Sequence, residues 1–235
     1  MYVREIEGKE TSLGVSGALW RDALVMIDRD SGSFWSQIDG RAILGAHEGK
    51  RLREMPSRMT TWGAWKAEFP HTRVLETEGE VPDASRYERY FEDAERLGVL
   101  GTANPDDRLP GKTLVMGVRV GRETAAVPLD VVSDHGAAAF EIAGRPLWLV
   151  SLGDDDAALW LARAGERDLA FSRDAGGGWR DDQTGSVWDP AAGTATDGPL
   201  AGKALERVPA RRVYWFVWAR FNPDTALPLG APAAD

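Results

Sequence analysis

Read as hydrophobic and polar positions, the chain alternates short apolar runs with turn residues, the pattern of short antiparallel strands. Leu24-Val25-Met26-Ile27 predicts a strand, Asp28 to Gly32 a turn, and Ser33 to Ile38 the returning strand. Aspartate bonds the turn backbone, and glycine supplies the positive φ that closes such a hairpin. Gly40 and Gly45 bracket a short apolar piece, and Lys50 to Met55 predicts another strand. Trp62, Trp65 and Phe69 fall at i, i+3 and i+7, with Thr60 or Thr61 as cap and Pro70 as stop, which predicts a short helix. Tyr87, Tyr90, Phe91, Ala94 and Leu97 share one helical face ahead of Gly98, predicting a second helix over about 83 to 97. Thr102 to Gly111 is a polar, Pro-containing loop. Residues 112–173 read as consecutive strands: Leu114 to Val120, Thr124 to Leu129, Ala138 to Ile142, Leu147 to Val150, Ala157 to Ala162 and Leu169 to Phe171.

The pattern recurs. Asp28, Gly32, Ser33 and Trp35 return 153 positions later as Asp181, Gly185, Ser186 and Trp188. The same shift carries Gly45 onto Gly198, Trp62 onto Trp215, Trp65 onto Trp218 and Thr72 onto Thr225. A repeat of this length sets the architecture before any other consideration. The expected fold is mainly β with short helices (α+β), two pseudo-repeated β-hairpin units packing as one compact domain. The units divide as 1–75, a first and partial repeat; 76–111, a helical connector and loop; 112–229, a second and fuller repeat; and 230–235, a tail. The later helix, Val213 to Trp218, is apolar nearly all round, which fits a buried helix or a strand. The first unit has no counterpart to residues 112–160. Either the fold closes without it, or a second chain covers the open edge, since unpaired strand edges invite association. That motivates a homodimer.

Composition narrows the partners. A chain of 235 residues can bury a substantial core, and ten tryptophans make that core strongly aromatic. The net charge of −9 argues against nucleic acid or an anionic membrane, both of which need a basic face. The arginines around Arg51 to Arg58 and Arg207 to Arg212 read as solvated local patches. With no cysteine, disulfides, zinc thiolates, iron–sulfur clusters and thiol catalysis are excluded. The first residues lack an apolar signal core, and no run approaches the ~18 apolar residues of a membrane span, so the expected compartment is cytoplasmic by default.

The blocks LGVSGALWRDALVMIDRDSGSFWSQIDGRAILG and TTWGAWKAEFPHT, with their later counterparts WRDDQTGSVWDP and YWFVWARFNPDT, resemble the bacterial and archaeal domain-of-unknown-function family 3179. VMGVRVGRETAAVPL with GRPLWLV fits the same family. The resemblance implies a β-rich fold with short helices and assigns no activity. Members often carry a Tyr-Cys-Pro-Leu-type segment ahead of the block that begins near Val3, so this chain reads as a truncated, cysteine-free member. Thiol- or metal-dependent chemistry is not carried over.

Two residue sets are candidate ligand contacts. Asp28, Ser33, Asp181 and Ser186 belong to the repeated turn; a structural turn is the plainer reading, and calcium is disfavoured by the missing distal glutamate. Trp35, Trp62, Trp188 and Trp215 offer flat apolar area with one N–H donor each, suited to ligand stacking in a cleft between the units; core packing is the alternative. His47, His71 and His135 are isolated, and His47 aligns with Leu200. Gly14-Val15-Ser16-Gly17-Ala18 is not a nucleophile elbow, and Gly176-Gly177-Gly178 is a hairpin tip with no phosphate-loop sequence after it. The expected function is a non-catalytic ligand-binding or accessory module without cofactor or metal. The alternatives are a hydrolase-like enzyme using Asp/His chemistry and a structural homo-oligomer.

Overall fold

In a computed structural model, which describes residues 1–75, 85–99, 101–153 and 156–228, the chain is mainly β, made of small antiparallel sheets with four short helices among the described residues. The early part runs β1 (Glu5–Ile6), β2 (Lys9–Glu10), β3 (Leu13–Trp20), β4 (Ala23–Asp28), β5 (Phe34–Ser36), β6 (Ala42–Leu44), α1 (Trp62–Glu68) and α2 (Ser85–Glu92). The middle runs β7 (Leu114–Val120), β8 (Glu123–Pro128), α3 (Leu129–His135), β9 (Ala137–Ile142), β10 (Arg145–Gly153) and β11 (Asp156–Leu161). The late part runs β12 (Arg163–Ala164), β13 (Arg167–Asp168), β14 (Phe171–Arg173), β15 (Trp179–Asp181), β16 (Val187–Asp189), β17 (Thr194–Asp197), β18 (Ala210–Tyr214) and α4 (Trp215–Phe221).

The core is organised by strands that are apolar on both faces. Along β10 and β11 successive side chains point to opposite sides. Leu147, Leu149, Leu159 and Leu161 join an aliphatic cluster with Val118, Val127 and Val132. Trp148, Val150, Ala158 and Trp160 turn the other way, into an aromatic cluster with Trp179, Trp188 and Leu205. The pairing that holds this alternation is Leu147↔Leu161 through Val150↔Ala158. Trp148 lies flat on Phe171 at 4.1 Å and meets Trp179 edge-on at 5.4 Å, the two favoured aromatic geometries.

Two sheets of four strands have the same order, β3-β4-β5-β6 and β14-β15-β16-β17. Each follows a two-stranded hairpin, β1-β2 or β12-β13, in matching register: Glu5↔Glu10 and Ile6↔Lys9 in one, Arg163↔Asp168 and Ala164↔Arg167 in the other. These positions are 158 apart, whereas the turn motif is 153 apart, so the hairpin β3–β4 is five residues longer than β14–β15. Two of the additional residues are taken up by a bulge between Val15 and Leu19, where Ser16, Gly17 and Ala18 lie opposite Val25 alone.

Several sequence expectations need correction. Lys50 to Met55 is not a strand: it makes only the isolated bridges Arg41↔Arg51 and Tyr2↔Glu54. The helix expected to reach Leu97 ends at Glu92, because Asp93 Oδ1 accepts from the backbone N–H of Glu95 and Arg96 and turns the chain. The run of strands is interrupted by α3, which starts after Pro128, carries Asp130 in its first turn and stops at Gly136 in the left-handed conformation. Val213 to Trp218 divides between the end of β18 and the start of α4. The tail lies outside the described residues.

Candidate functional site

The Asp-x-x-Ser-Gly-Ser turn closes on itself. Gly32 takes φ +69° and its N–H returns to Asp28 O at 3.0 Å. Asp28 Oδ1 accepts from Ser31 N at 2.7 Å; Oδ2 accepts from Ser31 Oγ at 2.7 Å and from Trp35 Nε1 at 2.9 Å. Ser33 Oγ lies 2.7 Å from Ser31 Oγ and accepts from His47 N at 3.3 Å. Asp28, Ser33 and Trp35 are all buried.

The later turn repeats this bond for bond. Asp181 accepts from Thr184 N at 2.6 Å, Thr184 Oγ1 at 2.8 Å and Trp188 Nε1 at 2.9 Å, and Ser186 Oγ accepts from Leu200 N at 3.0 Å. In both places a glycine lets a loop cross the serine: a Cβ on Gly45 would stand 2.8 Å from Ser33, and one on Gly198 would stand 2.8 Å from Ser186. Burial alone would raise the Asp28 and Asp181 carboxyls. The bonds from the indole, the hydroxyl and the backbone outweigh it and hold both below the ordinary aspartate value.

Asp28, Ser33 and Trp35 therefore meet in one network, and Asp181, Ser186 and Trp188 in another, in different sheets. Trp62 stands on the exposed surface of α1. Trp215 is fully buried, its Nε1 donating to Asp106 O at 2.8 Å. The eight residues do not converge on one cleft.

What differs between the two turns is the ground beside them. Next to Asp28 is a cavity of about 360 Å3, walled by Glu7, Lys9, Thr11, Asp30, Ser31 and His47 among others. Thr11 is 6% exposed, and its Oγ1 is buried with no hydrogen-bond partner among the described residues. At the corresponding late positions stand Leu169, buried, and Leu200, both in the aromatic cluster. His47 Nδ1 lies 3.2 Å from Lys50 Nζ, which pairs with Glu7 at 2.7 Å.

A second cavity, about 290 Å3, lies where early and late segments meet, with Gln37, Arg58 and Met59 on one side and Met116, Arg211 and Arg212 on the other. Its two most buried cations are engaged. Arg58 bonds Asp156 and Glu68, each at 2.7 Å; Arg211 bonds Glu54, Tyr2 OH at 2.9 Å and Gln37 O at 2.6 Å. Burial pushes the Tyr2 phenol up to about 12, against the pull of Arg211. Arg119, beside this cluster, bonds Asn222 Oδ1; burial, with Arg51 and Arg211 close by, lowers its guanidinium from the ordinary value. Composition predicts solvated patches for these arginines, whereas Arg58 and Arg211 are only 12% and 14% exposed in their side chains. Thr11 lies outside the gapless 153 alignment, since the late position that corresponds to it, Leu169, is offset by 158. The alignment of His47 with Leu200 was the visible signal of a difference at this place.

Fold and site together define a β-rich protein with two Asp–Trp-locked hairpin sheets and a polar cavity beside one of them. The chain belongs to the family described as a protein of unknown function, DUF3179, whose model matches residues 1–225. No curated protein and no solved structure matches it. Among the described residues no group of three or more His, Asp or Glu is placed to hold a metal ion, and no helix is long and apolar enough to cross a membrane.

Proposed function

We propose that the chain is a non-catalytic binding module made of two copies of one β-unit, in which the later copy keeps its core filled and the earlier copy takes a small polar molecule beside Asp28. The hydroxyl of Thr11, buried and without a partner among the described residues, carries this reading. A buried hydroxyl left without a bond costs about 1–3 kcal/mol, and a ligand that bonds it recovers that cost. The wall has both signs: Glu7 is paired with Lys50, Asp28 is bonded within its turn, and Asp30 stands against Lys9, so a neutral or zwitterionic ligand with several hydroxyl or amide groups fits it best. Acid–base chemistry at Asp28 or Asp181 has less support: each carboxylate already accepts three bonds and is held deprotonated.

The test is a thermal-shift panel of polyols, monosaccharides and free amino acids against the parent and a Thr11→Leu/His47→Leu variant, which copies the later unit. A stabilising compound that loses its effect in the variant supports the site, because binding to the folded state raises stability with ligand concentration. Retention of the shift, or no shift across the panel, counts against it. The cavity at the meeting of the two parts supports a second reading, an anionic ligand held by Arg212 with Arg58 and Arg211. The carboxylates already on Arg58 and Arg211 favour instead a clamp between the units.

A further inference from the structure

Helices α1 and α4 are of equal length, begin with tryptophans 153 positions apart, and make the same bond to a threonine just beyond the helix. Trp65 Nε1 donates to Thr72 Oγ1 and Trp218 Nε1 to Thr225 Oγ1, both at 3.0 Å. Their surroundings are opposite. Trp215 and Trp218 are buried, and the Trp218 ring presses on β7 so closely that a Cβ on Gly117 would stand 2.4 Å from it. Trp62 and Trp65 are 51% and 37% exposed, Phe69 is exposed too, and no residue of α1 is buried.

The segments ahead of the helices tell the same story. β18 pairs with β7 from Ala210↔Val118 to Tyr214↔Leu114. At the corresponding early positions, residues 57–60 make no backbone–backbone hydrogen bond with described residues. Ala162 N donates to Pro146 O of β10, whereas Arg4 N, its counterpart at 158, makes no such bond with described residues. Three surfaces that residues 112–153 cover in the later unit are thus left uncovered by the described residues in the earlier one.

Resting on the two-copy reading above, we propose that α1 and the edge at residues 57–61 are a docking surface for a β-hairpin from another polypeptide chain. The pair β7–β8 defines the occupant: a strand antiparallel to 57–61, apolar toward the helix, with glycine or another small residue opposite Trp65. The edge continues the existing β18–β7 contact, since Ser57 and Met59 share a cavity wall with Met116 and Ala210. Arg58 is already neutralised by Asp156 and Glu68, so the surface selects an apolar strand and not an acidic one. A second copy does not supply this segment, because its own β7 is engaged with β18 and α4.

The test uses the full chain and a probe taken from the chain itself. Hydrogen exchange over residues 57–68 is measured with a peptide of residues 112–130 added at up to about 1 mM, and again with residues 112–158 tethered ahead of Met1, where the 158 offset makes the join gapless. Exchange slowed by about tenfold or more in either format, and restored by Gly117→Trp in the added segment or by Trp65→Lys, is the expected result. The proposal is overturned by unchanged exchange in both formats, by protection that survives both substitutions, or by a chain that sediments alone as a dimer with α1 already protected, which would assign the face to a second copy.

Discussion

The indole N–H of Trp35 donates to Asp28 Oδ2 at 2.9 Å, joining a turn to the strand that leaves it. Both groups are buried, so each satisfies the other where water does not. A hydrogen bond to a charged group contributes about 1.5–3 kcal/mol. A double-mutant cycle of Asp28→Asn and Trp35→Phe, read by urea unfolding, should give a coupling in that range. A coupling near zero would show that the ring packs there without needing the carboxylate.

Acid should weaken both turns. Asp28 and Asp181 have folded-state carboxyls held below their unfolded value. Their contribution is therefore full above the unfolded value, about pH 4, and is lost as pH falls through the lower folded value. Unfolding midpoints measured from about pH 6 to about pH 2 should fall steeply. The Asp28→Asn/Asp181→Asn variant should start less stable and show a flatter profile; an equal slope would place the acid-sensitive groups elsewhere.

Two buried hydroxyls should respond in opposite ways. Thr11 Oγ1 has no partner among the described residues, so Thr11→Val should leave stability unchanged or raise it by up to about 1 kcal/mol. Ser33 Oγ meets Ser31 Oγ and the N–H of His47, so Ser33→Ala should cost about 1–3 kcal/mol. Chemical denaturation of both variants decides the matter, and a loss of stability in Thr11→Val would mean that its hydroxyl does bond within the free protein.

The two helices give the sharpest contrast. Trp218→Ala removes a buried ring and should cost about 3–5 kcal/mol. Trp65→Ala, at the matching place on an exposed helix, should cost less than about 1 kcal/mol in the isolated chain. Similar losses in calorimetry would mean that α1 is covered in solution.

The turns were readable in advance because their chemistry is local. Asp28, Gly32 and Ser33 sit within a few residues, and the bonds they make follow from residue type and spacing. α1 was legible for the same reason, with Thr61 Oγ1 accepting from Ala64 N at 3.2 Å as an N-cap. The helix α3 was hidden by Val131 and Val132, whose branched side chains favour a strand, while the signals for a helix there are a preceding proline, Asp130 in the first turn and a terminal glycine. The polar cavity was beyond reach because Thr11 and His47 are brought to one wall by separate loops. Burial of α4 against exposure of α1 likewise depends on what packs over each, which a helical pattern does not contain.

The bulge in β3–β4 shows how this scaffold tolerates change. Ser16 donates to Val25 O at 2.6 Å and Gly17 takes φ +81°, so the surplus residues are accommodated near the tip while Leu13 still faces Asp28. Extra length placed there leaves the base of the hairpin undisturbed. The same spot is therefore suited to an inserted tag or fluorophore, because lengthening the arm spares the buried carboxylate on which the sheet is anchored.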